Sequence, residues 1–455
     1  MSYTNDKFTE IYHIEMEKDK IIEILGNWNF WNRDLDAGIP RVSYLSKMQE
    51  MADTGKIISI TGVRRSGKST LIKQMAKAII MKGINKENIL LINFEEPYFE
   101  NANLNMLVEI YNAYLEIIKP TQKPFLFLDE VQNVEKWEKF ARSMTEKNEA
   151  FVTVTGSSSK LLSKELASIL TGRQLYFEIF PLSFGEFLSF SGIEIKDKKD
   201  IPLNSLNIRK SFRNYLYWGG FPEIVLNKSE DIKRRILLSY YEDIINRDII
   251  QRYKIKKSGK LKTLVHFYLS NPSSYASFNK ISKFIDLPVE TVRRFSSYIE
   301  ASNLVFFVKR FSYSLKEQEN SPRKIYCIDN GLSEIAGFKF SGNLGRLAEN
   351  VVALKLKRMV SWNPAMEFYY WKNHYGDKEV DFVIKEGKSV KSLIQVCWDI
   401  EDARTKEREL KDLVKAMNEF GLKTGIIVTE GSEGTEKIKG KTIVYQPLWK
   451  YLLEE

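Results

Sequence analysis

The segment Gly62-Val63-Arg64-Arg65-Ser66-Gly67-Lys68-Ser69 has the spacing G-x-x-x-x-G-K-[ST], which is the pattern of a loop that cradles phosphates. The chemistry needs each residue type. Glycines let successive backbone N–H groups curl around the phosphates, the Lys68 ammonium reaches the β- and γ-phosphates, and the Ser69 hydroxyl ligates magnesium at a helix N-terminus. Gly62 through Ser69, with Thr70 following, is the candidate nucleotide-binding segment, including the intervening Val63, Arg64, Arg65, Ser66 and Gly67. A turn that merely caps a helix is the bland alternative. The apolar run Ile57 to Ile60 before the loop and the helical pattern Thr70 to Ala76 after it favour the phosphate loop.

Hydrolysis needs carboxylates, and the strand-like run Phe125-Leu126-Phe127-Leu128 ends in Asp129-Glu130. Asp129 is assigned to the metal and Glu130 to orienting and activating water, with ATP and Mg2+ as the implied cofactors. The next apolar run ends in Thr155-Gly156-Ser157-Ser158-Ser159, which makes Ser157 and Ser158 candidate γ-phosphate sensors, although serine-rich turns also cap helices. Arg173 could supply charge to the transition state, in cis or in a neighbouring subunit's site, or could form a surface ion pair.

The elements that must position these groups follow from the pattern along the chain. Short apolar runs at 57–60, 89–94, 125–128, 151–155 and 175–179 alternate with helical stretches, so a largely parallel α/β sheet is expected. A lead-in occupies residues 1–54, the P-loop domain 55–204 and a helical lid 205–257, interrupted by the turn Trp218-Gly219-Gly220-Phe221-Pro222. Apolar residues at helical spacing, then the run Leu304 to Phe311, predict a winged helix over 258–335, with Asn320-Ser321-Pro322 as wing tip or loop. Residues 336–455 form a separate α/β domain. At 455 residues, with 43% hydrophobic and 28% charged residues, several folded domains are expected and disorder is not. The scattered Cys327, Cys397 and three histidines match no zinc or disulfide spacing. No apolar run approaches a membrane span and no leader pattern opens the chain, so a soluble cytoplasmic protein without a membrane partner is expected. The net charge of +10 permits nucleic-acid binding and equally serves solubility.

Taken together, the motifs resemble a group of prokaryotic AAA-type P-loop ATPases, common in archaea, that join a P-loop domain to a winged helix and a C-terminal domain of unknown function. The phosphate loop looks like that family's G-x-R-R-x-G-K-[ST], and Leu128-Asp129-Glu130-Val131-Gln132 like its L-D-E-[IV]-Q. Gly172-Arg173, Pro181-Leu182-Ser183-Phe184 with Glu186-Phe187, and Gly219-Gly220-Phe221-Pro222-Glu223 resemble its later blocks. The resemblance implies an AAA+-like ATP hydrolase but supplies no substrate.

The last domain resembles the PD-(D/E)XK restriction-endonuclease-like fold, with Glu349 on a helix, Glu379-Val380-Asp381 opening a strand, and Gln395 and Cys397 at the Glu-x-Lys positions. Gln395 offers a hard cation only a neutral oxygen, and Cys397 cannot replace an ammonium. Glu349, Asp381 and Gln395 therefore read as a vestigial nuclease site, or as acids that cap a strand and a helix. In the winged helix, Thr291 to Glu300 is the expected recognition helix, carrying Arg293 and Arg294, with Lys280, Lys283, Lys309, Arg310 and Lys324 nearby. These are candidate contacts to branched or double-stranded DNA, against the alternative of a solvated face on a spacer domain. The functional expectation is a magnesium-dependent ATPase coupled to DNA binding or remodelling in repair, recombination or defence, with a homo-oligomer allowed. A nucleotide switch acting through protein partners is the alternative, and an active metal-dependent nuclease is the least favoured.

Overall fold

The computed structural model describes residues 18–156, 170, 172–197, 199–336 and 344–454. Its contacts divide the chain into two units. The first comprises Met1–Ser59, Ser69–Gly156 and Lys164–Leu175, and the second Ile60–Lys68, Ser157–Ser163 and Tyr176–Glu455.

In the first unit, β-branched and aromatic runs too short for helices form buried strands. They are β1 (Ile57–Gly62), β2 (Ile89–Asn93), β3 (Phe125–Asp129), β4 (Phe151–Thr155) and β5 (Gln174–Ile179), in the order β2-β3-β4-β1-β5, with β1 and β5 each running on into the second unit. β2 pairs with β3, and β3 with β4, in parallel register. Helices Lys68–Met81, Leu104–Ile117 and Trp137–Glu146 connect them, which is the helix-covered arrangement a parallel sheet requires.

The lead-in belongs to this sheet. Asn29, fully buried, accepts from Leu91 N and donates to Leu91 O, both at 2.8 Å, while Trp31 Nε1 donates to Ile89 O at 2.9 Å. These bonds occupy the outer backbone groups of β2, which the strand order leaves at an edge.

The second unit begins its helical part with Phe184–Phe190, whose N-terminus carries a capping box from Ser183 and Glu186. The helix Ser205–Trp218 ends at Gly219, and Gly219-Gly220 makes the turn expected there. Gly220 is required by crowding, since a Cβ would stand 2.5 Å from Leu182 O. Its N–H donates to buried Asp329 at 2.6 Å, and Arg358 donates to Pro181 O and Leu182 O. The sequence blocks around Pro181 and Gly219 thus build one packed hub. After Glu230–Asp243 the helix continues as a π-helical stretch, Ile244–Gln251.

Next come helix Ser258–Ser270, β6 (Tyr275–Ala276), helices Phe278–Ile285 and Val289–Ala301, β7 (Val305–Val308) and β8 (Arg323–Cys327). The three strands form an antiparallel sheet ordered β6-β8-β7. Between β7 and β8, residues Leu315–Asn320 form a short helix capped by Ser314, and the Asn320-Ser321-Pro322 segment leads from it into β8. The last region has helix Leu344–Trp362, β9 (Met366–Lys372), β10 (Glu379–Glu386), β11 (Ser389–Val396), helix Ala403–Glu419, β12 (Thr424–Thr429), β13 (Gly434–Ile438), β14 (Lys441–Pro447) and helix Leu448–Leu453. Its sheet order is β13-β14-β12-β11-β10-β9. β13 is exposed and polar, so no apolar alternation announced it. Among the described residues, no helix is long and apolar enough to cross a membrane.

Candidate functional site

The loop after β1 has the backbone that phosphate binding needs. Gly62 at φ +147 and Gly67 at φ +97 adopt angles open to glycine, and Arg65 takes φ 69. Gly62 is also sterically fixed, because a Cβ would meet Ile179 O at 2.2 Å. The helix Lys68–Met81 starts directly on the loop, which directs its free N–H groups and dipole there. Lys68 is buried, its Nζ donating to Gly62 O at 3.2 Å and Val63 O at 3.4 Å. Ser66 Oγ donates to Val63 O at 2.8 Å, closing the loop on itself. Val63 is buried, Arg64 and Ser69 are half-buried, and Arg65 and Thr70 are exposed.

Both loop arginines have acidic partners in the second unit. Arg64 forms a two-pronged pair with Asp248, and Arg65 Nη2 lies 3.9 Å from Asp243, its guanidinium 5.5 Å from the centre of the Tyr240 ring. The phosphate loop is thereby attached to the helix that runs from Glu230 through Gln251. Nothing in the motif announced this attachment.

Within the first unit, the tip of β3 forms a hydroxyl–carboxylate corner. Thr155 Oγ1, at the end of β4, donates to Asp129 Oδ1 and accepts from Glu130 N at 2.9 Å. Asp129 is 3% exposed. Glu130 sits at φ 52, ψ 43, left-handed geometry that costs a non-glycine residue about 1 kcal/mol or more and is often kept where function demands it. Gln132 Nε2 donates to the Glu130 carboxylate. Sequence reasoning passed over Thr155, because a threonine in a strand looks like ordinary β propensity. The one available signal was its position at the strand tip, opposite the acidic pair.

Ser157 and Ser158 lie outside the described residues. Arg173 forms an ion pair with Glu146, Nη2 to Oε1 at 2.8 Å. Arg142 also bonds Glu146, and that bond, then the two arginine charges against slight desolvation, holds the Glu146 carboxyl below its ordinary value.

The acids of the C-terminal domain converge, but on a lysine. Lys324 Nζ, from β8, contacts Glu349, Glu379 and Asp381. Burial pushes Glu349 up to about 7, aided by the Asp381 charge and opposed by Lys324 and the Tyr326 hydroxyl. Gln395 does not face the cation: its Oε1 accepts from Asp381 N at 3.2 Å and its Nε2 donates to Glu409 at 2.6 Å. Burial raises the Cys397 thiol to about 12, so it stays neutral. Among the described residues, no group of three His, Cys, Asp or Glu side chains is arranged to hold a metal ion.

The basic residues read as DNA contacts separate into two sets. Lys280, Lys283, Arg293 and Arg294 are exposed, Arg293 only 3.7 Å from Glu290. Lys309 pairs with Glu319 at 2.5 Å, and Arg310 pairs with Glu317 and donates to Lys372 O and Asn373 O. Lys324, counted with them from the sequence, has a side chain only 3% exposed and is not available to DNA.

Residues 54–188 match the family model of an AAA domain, and residues 209–340 and 344–451 match two domains of unknown function, DUF8612 and DUF4143. The chain is 36% identical over 409 residues to the uncharacterized protein MJ1544 of Methanocaldococcus jannaschii, covering 88% of each. It is 29% identical over 419 residues to an uncharacterized protein of Haemophilus influenzae, covering 91% of this chain and 98% of that one. It also resembles the solved Walker-type ATPase paby2304 of Pyrococcus abyssi at 12% identity and a TM-score of 0.44, over 68% of this chain and 99% of that chain.

Proposed function

The chain belongs to the family of the uncharacterized Methanocaldococcus jannaschii protein MJ1544 and carries an AAA-type P-loop ATPase domain, and we propose that this domain hydrolyses ATP with magnesium and couples the cycle to DNA binding. The observation that carries the hydrolytic half is the corner in which one hydroxyl, Thr155, holds both Asp129 and the backbone of Glu130. A site that only binds nucleotide needs the loop. One that also cleaves needs a fixed carboxylate for the metal and a second for water, and these are the groups that Thr155 fixes.

The roles follow from the chemistry. Lys68 and the loop N–H groups bind the phosphates. Ser69 and Asp129 are the residues that would hold a magnesium ion, which when bound would neutralise charge developing on the phosphate oxygens. Glu130 orients the attacking water. Arg173 supplies charge to the transition state, from its own chain or from a neighbouring subunit, once released from Glu146.

For the DNA half, support comes from the element order helix, strand, helix, helix, strand, strand over residues 258–327, interrupted between the last two strands by the short helix Leu315–Asn320, with a three-stranded antiparallel sheet. That order is the one expected of a winged helix, with Val289–Ala301 as the recognition helix and Lys280, Lys283, Arg293 and Arg294 exposed on or beside it. The domain layout read from the sequence belongs to this proposal: lead-in to 54, ATPase to 204, lid to 257, winged helix to 335, then a nuclease-like domain without cleavage. The test is ATP turnover with a panel of branched and duplex DNA, with Lys68→Ala as control. DNA should raise turnover and bind with a steep salt dependence; absence of both sinks the DNA half.

A second reading is favoured by the attachment of the loop to helix 230–251 through Arg64 and Asp248. A nucleotide switch acting through a protein partner would use the same lever. Tight ADP retention, no DNA response and a change of assembly state on ATP binding would select it.

A further inference from the structure

Lys324 projects from β8 with its side chain 3% exposed, and its Nζ stands 2.8 Å from Asp381 Oδ1, 2.8 Å from Glu379 Oε1 and 2.9 Å from Glu349 Oε1. Three carboxylates, one from helix Leu344–Trp362 and two from β10, therefore share one cation from another part of the chain. Their remaining contacts are also internal. Asp381 Oδ2 accepts from Val396 N at 3.0 Å, Glu379 Oε2 faces Lys372 Nζ at 3.4 Å, and Tyr326 OH donates to Glu349 at 2.6 Å. Burial works against the charge on Lys324, but Asp381, Glu349 and Glu379 outweigh it and hold the ammonium well above its ordinary range.

A nuclease-like reading of this domain implies a metal held by these acids, and the residues do not fit one. Oxygens at 2.8–2.9 Å suit N–H donors, whereas magnesium draws its ligands to about 2.0–2.1 Å and calcium to about 2.3–2.6 Å. The position a metal would take is filled by a covalently attached cation. We propose that Lys324 is the resident cation of the Glu349–Glu379–Asp381 cluster, a tethered substitute for a divalent metal that locks β8 to the C-terminal domain and shuts the cluster against metal.

Lys324 differs from a partner in an ordinary buried ion pair. Removing one partner of a simple pair leaves one unpaired charge. Removing Lys324 leaves three carboxylate oxygens pointing at one place, where an inward shift of about 0.2–0.6 Å reaches calcium distances and one of about 0.7–0.9 Å reaches magnesium distances. The vacated cluster should therefore recruit a metal that the native chain excludes.

The test is thermal unfolding of the full nucleotide-free chain with MnCl2, read beside the electron paramagnetic resonance signal of free Mn2+. Lys324→Ala should unfold at lower temperature than the native chain, and millimolar Mn2+ should raise its midpoint by about 3 °C or more with loss of the free-ion signal. The native chain should shift by less than about 1 °C, and adding Asp381→Asn to Lys324→Ala should abolish the gain. If Lys324→Ala does not fold alone, refolding it in Mn2+ should recover it. The combined Lys324→Met, Glu349→Gln, Asp381→Asn variant, which removes most of the charge together, should fold without metal. Four results would overturn the proposal: an equal metal response in the native chain, a Lys324→Ala chain as stable as native and indifferent to Mn2+, a Lys324→Ala chain that Mn2+ neither stabilises nor refolds, or a combined variant that does not fold.

Discussion

The Arg64 guanidinium of the phosphate loop is gripped by both carboxylate oxygens of Asp248, Nε at 3.2 Å from Oδ2 and Nη2 at 3.1 Å from Oδ1. Asp248 lies in the π-helical stretch Ile244–Gln251, and such stretches often mark functional positions. The pair is mostly shielded from water, with side-chain exposures of 23% and 13%, so it should contribute more than a surface bridge, about 1–2 kcal/mol. Asp248→Ala should raise the ATP dissociation constant about tenfold, by releasing a loop that the pair holds ready. Arg64→Ala should do the same, and the double variant should be no worse than either single one. Isothermal titration with a non-hydrolysable ATP analogue measures this; fully additive losses would mean that the two residues act separately.

Thr155 ties together the corner formed by Asp129 and Glu130. Thr155→Val keeps the shape of the side chain but removes the donor to Asp129 and leaves the Glu130 N–H without its acceptor. Turnover should fall about tenfold or more with little change in nucleotide affinity, and stability by about 1–3 kcal/mol. Thr155→Ser should restore most of both. Steady-state ATPase assays and urea melts on the same preparations separate the two effects.

What the sequence made legible was local. The phosphate loop spans eight consecutive positions whose glycines and lysine each have a physical reason, and Asp129-Glu130 sits at the end of an apolar strand. The groups that tie these motifs into the protein were not legible, because their partners are remote: Asp248 is 184 positions from Arg64. Lys324 shows a different failure. A lysine near a basic helix reads as a solvated charge, and only the fold shows three carboxylates, from 25 to 57 positions onward, closing around it. Asn29 read only as part of a lead-in segment, since nothing in its neighbours reveals that a side-chain amide can complete a sheet edge.

That amide gives a stability prediction. Asn29→Ala leaves both Leu91 N–H and Leu91 O without partners in a region almost closed to water. The cost should be about 2–4 kcal/mol, read as a lower urea midpoint at unchanged slope. Because the freed groups lie on an edge strand, aggregation on heating should also increase, followed by light scattering. A loss below about 0.5 kcal/mol would show that other groups seal the edge.

The two sets of basic residues make the DNA reading testable within one protein. Lys280, Lys283, Arg293 and Arg294 are exposed, so neutralising them costs little folding energy. If each meets a phosphate, each alanine should lower the slope of log affinity against log salt by about 0.9, and all four together by about 3–4. Lys309 and Arg310 are engaged with Glu319 and Glu317, and Arg310 also holds the carbonyls of Lys372 and Asn373 at the end of β9. Arg310→Ala should therefore lower stability while leaving the salt slope unchanged. Fluorescence anisotropy with labelled duplex and branched DNA, across a salt series, distinguishes the sets. A slope that drops equally for both would move the DNA surface off the helix Val289–Ala301, and one that drops for neither would remove this face from DNA binding.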